Sequence, residues 1–143
     1  ESDDPKNFLG FDKSKKIEIF ADTMSVDDFF QKYIKRRISD PKALLALFCL
    51  EPSCPGLLRE AIHPEKVESQ IEEITSIFLR DTKKNSYSPS DKVLILSPIL
   101  KKYEYEILRK YGGVGSFVTL YMSSDQELRK RARIGSVKIK YRD

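Results

Sequence analysis

Cysteine, histidine and long apolar runs are scarce in this chain, and each scarcity closes off a class of protein. Two cysteines among 143 residues are too few for a disulfide scaffold of the kind that substitutes for a core in small secreted domains. The longest apolar run, Ala43 to Leu50, is eight residues, against the roughly 20 that a membrane-spanning helix needs. The opening residues ESDDPKN are polar and acidic, so no signal peptide is read there, while a mature exported form stays open. Internal repeats and low-complexity tracts are missing too. Gly112-Gly113-Val114-Gly115 lacks the Lys-Ser/Thr of a phosphate-binding loop. The spacing of Cys49, Cys54 and the single histidine, His63, matches no zinc pattern. Neither a metal nor any other cofactor is therefore expected.

What is present suits one folded domain. A chain of this length buries about two-thirds of its unfolded surface, and 40% hydrophobic with 10% aromatic content argues against disorder. Charged residues make up 34% but carry both signs, for a net charge of +4. A pI near 9.0 permits weak attraction to anionic partners without demanding it.

Residues 1–15 form a polar, flexible arm, and residues 16–143 form a single α+β domain. Lys16 to Phe20 alternates as a short strand. A helix spans Met24 to Ile38, with Ser25 and Asp28 as a capping box and Val26, Phe29, Phe30, Tyr33 and Ile34 as its apolar stripe. Asp40-Pro41 opens the central element, running to Cys49: Asp at the N-cap and Pro at the first position favour a helix, although an apolar run this short also fits a buried strand. Pro52, Pro55 and Gly56 then force a loop carrying Cys54.

Pro64 starts a helix with Val67, Ile71, Ile74 and Phe78 inward. Asp81 to Asp91 reads as a polar loop, and Lys92 to Leu96 as a strand. Ser97-Pro98 opens a helix with Ile99, Leu100, Tyr103, Ile107 and Leu108 inward, ended by Gly112-Gly113. Phe117, Leu120 and Tyr121 mark a short helix. Ser124 with Glu127 reads as a second capping box, and Ser136 to Tyr141 as a half-exposed strand. The expectation is about five helices around the short central Asp40–Cys49 element, with a small sheet of about three short strands.

At the cysteine segment the chain resembles domain-of-unknown-function family 547. That family tends to read DPRxHFALxCxxxSCP and then EAY. Here the matching residues are Asp40-Pro41-Lys42, Ala46-Leu47-Phe48-Cys49, Ser53-Cys54-Pro55 and Glu60-Ala61-Ile62. Met24-Ser25-Val26-Asp27-Asp28-Phe29 is similar to its upstream helix start, and Leu96-Ser97-Pro98-Ile99 to a downstream one. The histidine common before the cysteine run is Leu44 here, and the family's N-terminal helix has no counterpart. The resemblance, over roughly residues 22–143, implies a divergent or N-terminally truncated member. It carries no assigned activity with it.

Three functions are compatible with these residues. The leading expectation is a binding or protein-interaction module with a protein partner. Arg129, Lys130, Arg131, Arg133, Lys138 and Lys140 form a basic patch that could instead meet a nucleic acid or an anionic surface, with Tyr121 and Tyr141 available for stacking. The second is a thiol-dependent, papain-like hydrolase or transferase with Cys54 as nucleophile and His63 as base. The third is a redox element made of Cys49 and Cys54. Against the last two stands the plain structural role of buried cysteine as a small apolar residue. No compartment follows from the residues.

Overall fold

The computed structural model describes residues 15–19, 21–47 and 51–143, and the starting signals in the sequence account for most of its helices. Ser25 caps α1 (Val26–Phe29): its Oγ accepts the Asp28 N–H at 3.0 Å and its hydroxyl donates to the Asp28 carboxylate at 2.7 Å. The next six residues, Phe30–Lys35, continue in a wider π-helical turn. Phe30 faces the core, with Ile34 and Ile38 packed against it. Before this helix, β1 (Lys16–Ile19) and β2 (Asp22–Ser25) pair as an antiparallel hairpin through Ala21 at a φ of 67°. The predicted helix start at Met24 is thus two residues early, because Met24 is spent on the hairpin.

Asp40 caps α2 (Pro41–Ala46), with its Oδ1 accepting the Lys42 N–H at 3.0 Å. Of the two forms the run could take, Pro41–Ala46 adopts the helix and buries Leu44 and Leu45. Leu47 is already extended, and residues 48–50, which hold Cys49, lie outside the described residues. A 3-10 turn, Pro64–Lys66, leads into α3 (Val67–Arg80). The face α3 buries is Gln70, Ile74, Thr75, Phe78 and Leu79, so Val67 at its start is exposed and Gln70 turns inward instead.

Beyond α3 the expected polar loop contains a strand, β3 (Ser86–Ser88), which pairs antiparallel with β4 (Val93–Leu96). Asn85 fixes this corner. Its side chain donates to Phe78 O and accepts the Ser97 N–H, tying the end of α3 to the end of β4. Then follow α4 (Ile99–Lys102), α5 (Glu104–Tyr111), α6 (Val114–Met122), α7 (Gln126–Arg133) and β5 (Lys138–Tyr141). β5 returns parallel to β4, Leu94 opposite Ile139 and Leu96 opposite Tyr141. A parallel pair needs a long crossover, and the four helices supply it.

The fold is therefore α+β: seven α-helices and two small sheets among the described residues, with strand order β3-β4-β5 in the larger. Lys16–Ile19 is a strand, but it belongs to the separate hairpin. The helix expected from Ser97 onward breaks at Tyr103, whose ring is buried, and the break rotates α5 so that Leu108 faces water. Gly112 closes α5 in the left-handed region at a φ of 75°, which favours glycine. The cap of α7 is Asp125, whose Oδ1 takes the N–H groups of Glu127 and Leu128, not Ser124. One hydrophobic cluster joins Phe30, Leu44 and Leu45 to Leu94, Leu100, Phe117 and Val137. No helix among the described residues is long and apolar enough to cross a membrane.

Candidate functional site

Cys54 lies in the core, 3% exposed, and is disulfide-bonded. Its loop is pinned from two sides: the Ser97 hydroxyl donates to Ser53 O at 2.6 Å and the Lys84 ammonium donates to Cys54 O. A bonded sulfur carries no thiolate, and only a thiolate is a nucleophile. Cys49, the other member of the proposed redox pair, lies outside the described residues. His63 precedes the turn into α3, its side chain 46% exposed, with Nδ1 3.9 Å from Glu65 Oε1 and its backbone N–H held by Gln70 Oε1. Burial of one partner and exposure of the other are the opposite of an activated pair, in which the nucleophile meets solvent and the base is oriented behind it. No group of three metal-ligating side chains occurs among the described residues.

A dense polar cluster that the spacing of the sequence does not reveal joins four helices. Asp40 accepts hydrogen bonds from Lys110 Nζ at 2.7 Å and Tyr111 Oη at 3.2 Å. Glu72 accepts from Lys42 Nζ at 2.6 Å and Tyr121 Oη at 3.1 Å. Burial pushes the Asp40 carboxyl up, but Lys110 and the Lys42 backbone N–H outweigh it and hold the group below its ordinary value. The Lys42 hydrogen bond does the same for Glu72. Burial first, and then these carboxylates, push both phenols well above the usual tyrosine range. The two rings flank Phe117, at centroid distances of 4.6 and 5.8 Å. Each carboxylate already has its partners, so the cluster reads as a clamp between α2, α3, α5 and α6, not as a site waiting for a ligand.

The basic residues divide. Arg131 pairs with Glu127 one turn back, at 2.9 Å. Arg129 lies across the end of α6, with Nε donating to Thr119 O at 3.2 Å and Nη2 to Leu120 O at 3.3 Å. These are carbonyls that a helix C-terminus leaves unpaired and that a cation complements. Lys130 and Arg133 are exposed, and their side chains have no hydrogen bond or ion pair among the described residues. Lys138 and Lys140 go elsewhere. Successive strand residues point to opposite faces. Ile139 reaches Gly115 on α6, with its Cδ1 3.8 Å from where a Cβ there would sit. Lys138 and Lys140, opposite Val93 and Ile95, therefore stand on the outer face of the sheet, away from α7. The six predicted cations are two groups, not one patch.

What remains on α7 is a cationic ridge beside concave surface. Arg129 and Arg133, one turn apart, are shared by two adjoining clefts. One of about 320 Å³ is lined by Tyr111, Gly112, Ser116, Thr119 and Leu120. The other, about 490 Å³, lies along Gln126, Glu127 and Lys130. The charge is also local. Residues 126–143 hold seven cations against two acids, net +5, while residues 1–125 hold nineteen against twenty, net −1. The i, i+4 spacing of Arg129 and Arg133 was the available signal for this ridge; the cleft between α6 and α7 had none.

Tyr121 and Tyr141 do not serve this surface as stacking platforms. Tyr121 is spent on Phe117 and Glu72, and Tyr141 packs against the core with Lys101 over its ring at 5.9 Å. Instead, the neighbours that meet water are aliphatic: Leu120 is 51% exposed and Ile134 69%.

No family model, curated protein or solved structure matches the chain.

Proposed function

We propose that this protein is a non-enzymatic interaction module that binds an acidic segment of a partner protein on the cationic ridge of α7. The observation that carries this reading is the pair Lys130 and Arg133, uncompensated on a helix whose other face, Leu128 and Ala132, is fully packed. Charged side chains held on a rigid element beside a groove steer and register an oppositely charged partner. Exposed Leu120 and Ile134 add apolar contact at the edges, which is the mixture a peptide offers and a bare phosphate backbone does not. A single-stranded nucleic acid draws on aromatic platforms, and the two candidate tyrosines are occupied. The family likeness around Asp40–Ala61 brings no activity that competes with this reading.

The test is fluorescence anisotropy with a labelled acidic peptide of alternating Glu and Leu, measured against a 20-nucleotide single strand at the same ionic strength. Saturable peptide binding that weakens between 0.05 and 0.3 M salt, roughly as the Debye length falls from above 10 Å to below it, supports the module. Tighter binding of the oligonucleotide, or no peptide binding at low salt, overturns it.

A further inference from the structure

Helices α6 and α7 run antiparallel at close quarters. A Cβ added at Gly115 would sit 3.6 Å from the Ala132 Cβ, and Arg129 reaches the carbonyls of Thr119 and Leu120 further along. This pairing sets Arg133 one turn beyond, beside Gly112 and Ser116, and all three line the same cleft of about 320 Å³. Three features meet in that corner. The Arg133 guanidinium has no partner among the described residues. Arg129 is anchored through Nε and Nη2, which leaves its Nη1 uncommitted. The Ser116 hydroxyl oxygen is buried and has no hydrogen-bond partner among the described residues.

Given the contact face proposed above, we infer that the Ser116–Arg129–Arg133 corner is a phosphoryl pocket and that the preferred partner segment carries a phosphorylated side chain. A buried hydroxyl left unsatisfied is costly, and its residue, Ser116, lines a cleft whose charged groups are donors. Arg133 offers five N–H groups in a planar fork, and Arg129 and Ser116 add more, while a carboxylate presents about four acceptor sites. A phosphoryl group brings three strong acceptor oxygens and up to two negative charges at neutral pH. It absorbs this donor set better than glutamate does. Glu127, the carboxylate that lines the adjoining cleft, is already held by Arg131.

The experiment compares three versions of one acidic peptide, with serine, glutamate or phosphoserine at the central position, by calorimetric titration at fixed ionic strength. The expected order places phosphoserine about tenfold tighter than glutamate, the scale of one or two added charge-assisted hydrogen bonds. S116A should bring that ratio down to about threefold or less; R133A should weaken both peptides and remove the preference. S116A should also melt no lower than the parent, because the hydroxyl it deletes makes no hydrogen bond in the fold. Equal affinity for phosphoserine and glutamate peptides, or an undiminished preference in S116A, overturns the phosphoryl pocket and leaves the acidic-segment reading standing. Failure of all three peptides to bind overturns both.

Discussion

Replacing Asp40 with alanine tests the structural clamp, because one carboxylate there does three separable things. Its Oδ1 caps α2 through the Lys42 N–H, and losing an Asp cap costs about 1 kcal/mol, within a range of roughly 0.5–2. The same carboxylate accepts the half-buried Tyr111 hydroxyl, whose loss leaves that hydroxyl unsatisfied at a further cost of about 1 kcal/mol. The ion pair with Lys110, a side chain 42% exposed, adds about 0–1 kcal/mol. D40A should therefore lose about 2–3 kcal/mol. For a chain of this size that lowers Tm by roughly 6–12 °C. D40N is the informative control: asparagine caps as well as aspartate and keeps an acceptor for Tyr111, so its loss should be about 0.5 kcal/mol. Urea denaturation of the three proteins at pH 7 reads the difference. D40A within about 0.5 kcal/mol of the parent, or D40N as damaged as D40A, would refute the assignment of cap and clamp.

Other expectations follow from the same clamp and core. Asp40 and Glu72 are held below their ordinary values when folded, so their contribution is present above about pH 4 and is lost as pH falls through the folded values. Urea midpoints at pH 7 and pH 3 should differ less in D40N/E72Q than in the parent. The phenols of Tyr111 and Tyr121 shift the other way, so the stability they supply is present below about pH 10 and declines as pH rises further; Y121F should be the less alkali-sensitive protein. Reduction of the Cys54 bond should lower stability by about 2–4 kcal/mol, read as a drop in Tm with dithiothreitol, and iodoacetamide should label native, unreduced protein negligibly. Phe117→Ala, at a fully buried ring between Tyr111 and Tyr121, should cost about 3–5 kcal/mol.

The parts of the fold that local chemistry decides were legible in the residues. Ser25, Asp40-Pro41, Pro64 and Gly112 each mark a boundary through a side chain or a φ angle that acts within one turn. What depended on distant partners was not. Ser86–Ser88 is polar and short, and it is a strand only because β4 lies beside it. Leu108 fits an unbroken helix from Ile99, but the break at Tyr103 changes its phase. The cap of α7 falls one residue after Ser124: Asp125 takes the Glu127 and Leu128 N–H groups, and its own N–H is held by Ser123 Oγ.

The site shows the same limit. Arg129 to Arg133 and Lys138 to Lys140 are neighbours in the sequence, yet strand alternation sends the lysines to the other face of the sheet. Cys54 has the residue type of a nucleophile, but burial and bonding decide its chemistry. Ser116 carries no signal in the sequence; only the packing of α6 against α7 leaves its hydroxyl without a partner.

The most direct test of the contact face is a comparison of two charge reversals that alter net charge equally. K130E/R133E changes the ridge of α7, and K138E/K140E changes the outer face of the sheet. Anisotropy titration with the same acidic peptide should show at least tenfold weaker binding for the first, with the second within about threefold of the parent, a residue of long-range attraction alone. Equal weakening of the two would mean that net charge, not the α7 surface, holds the peptide, and would contradict the account.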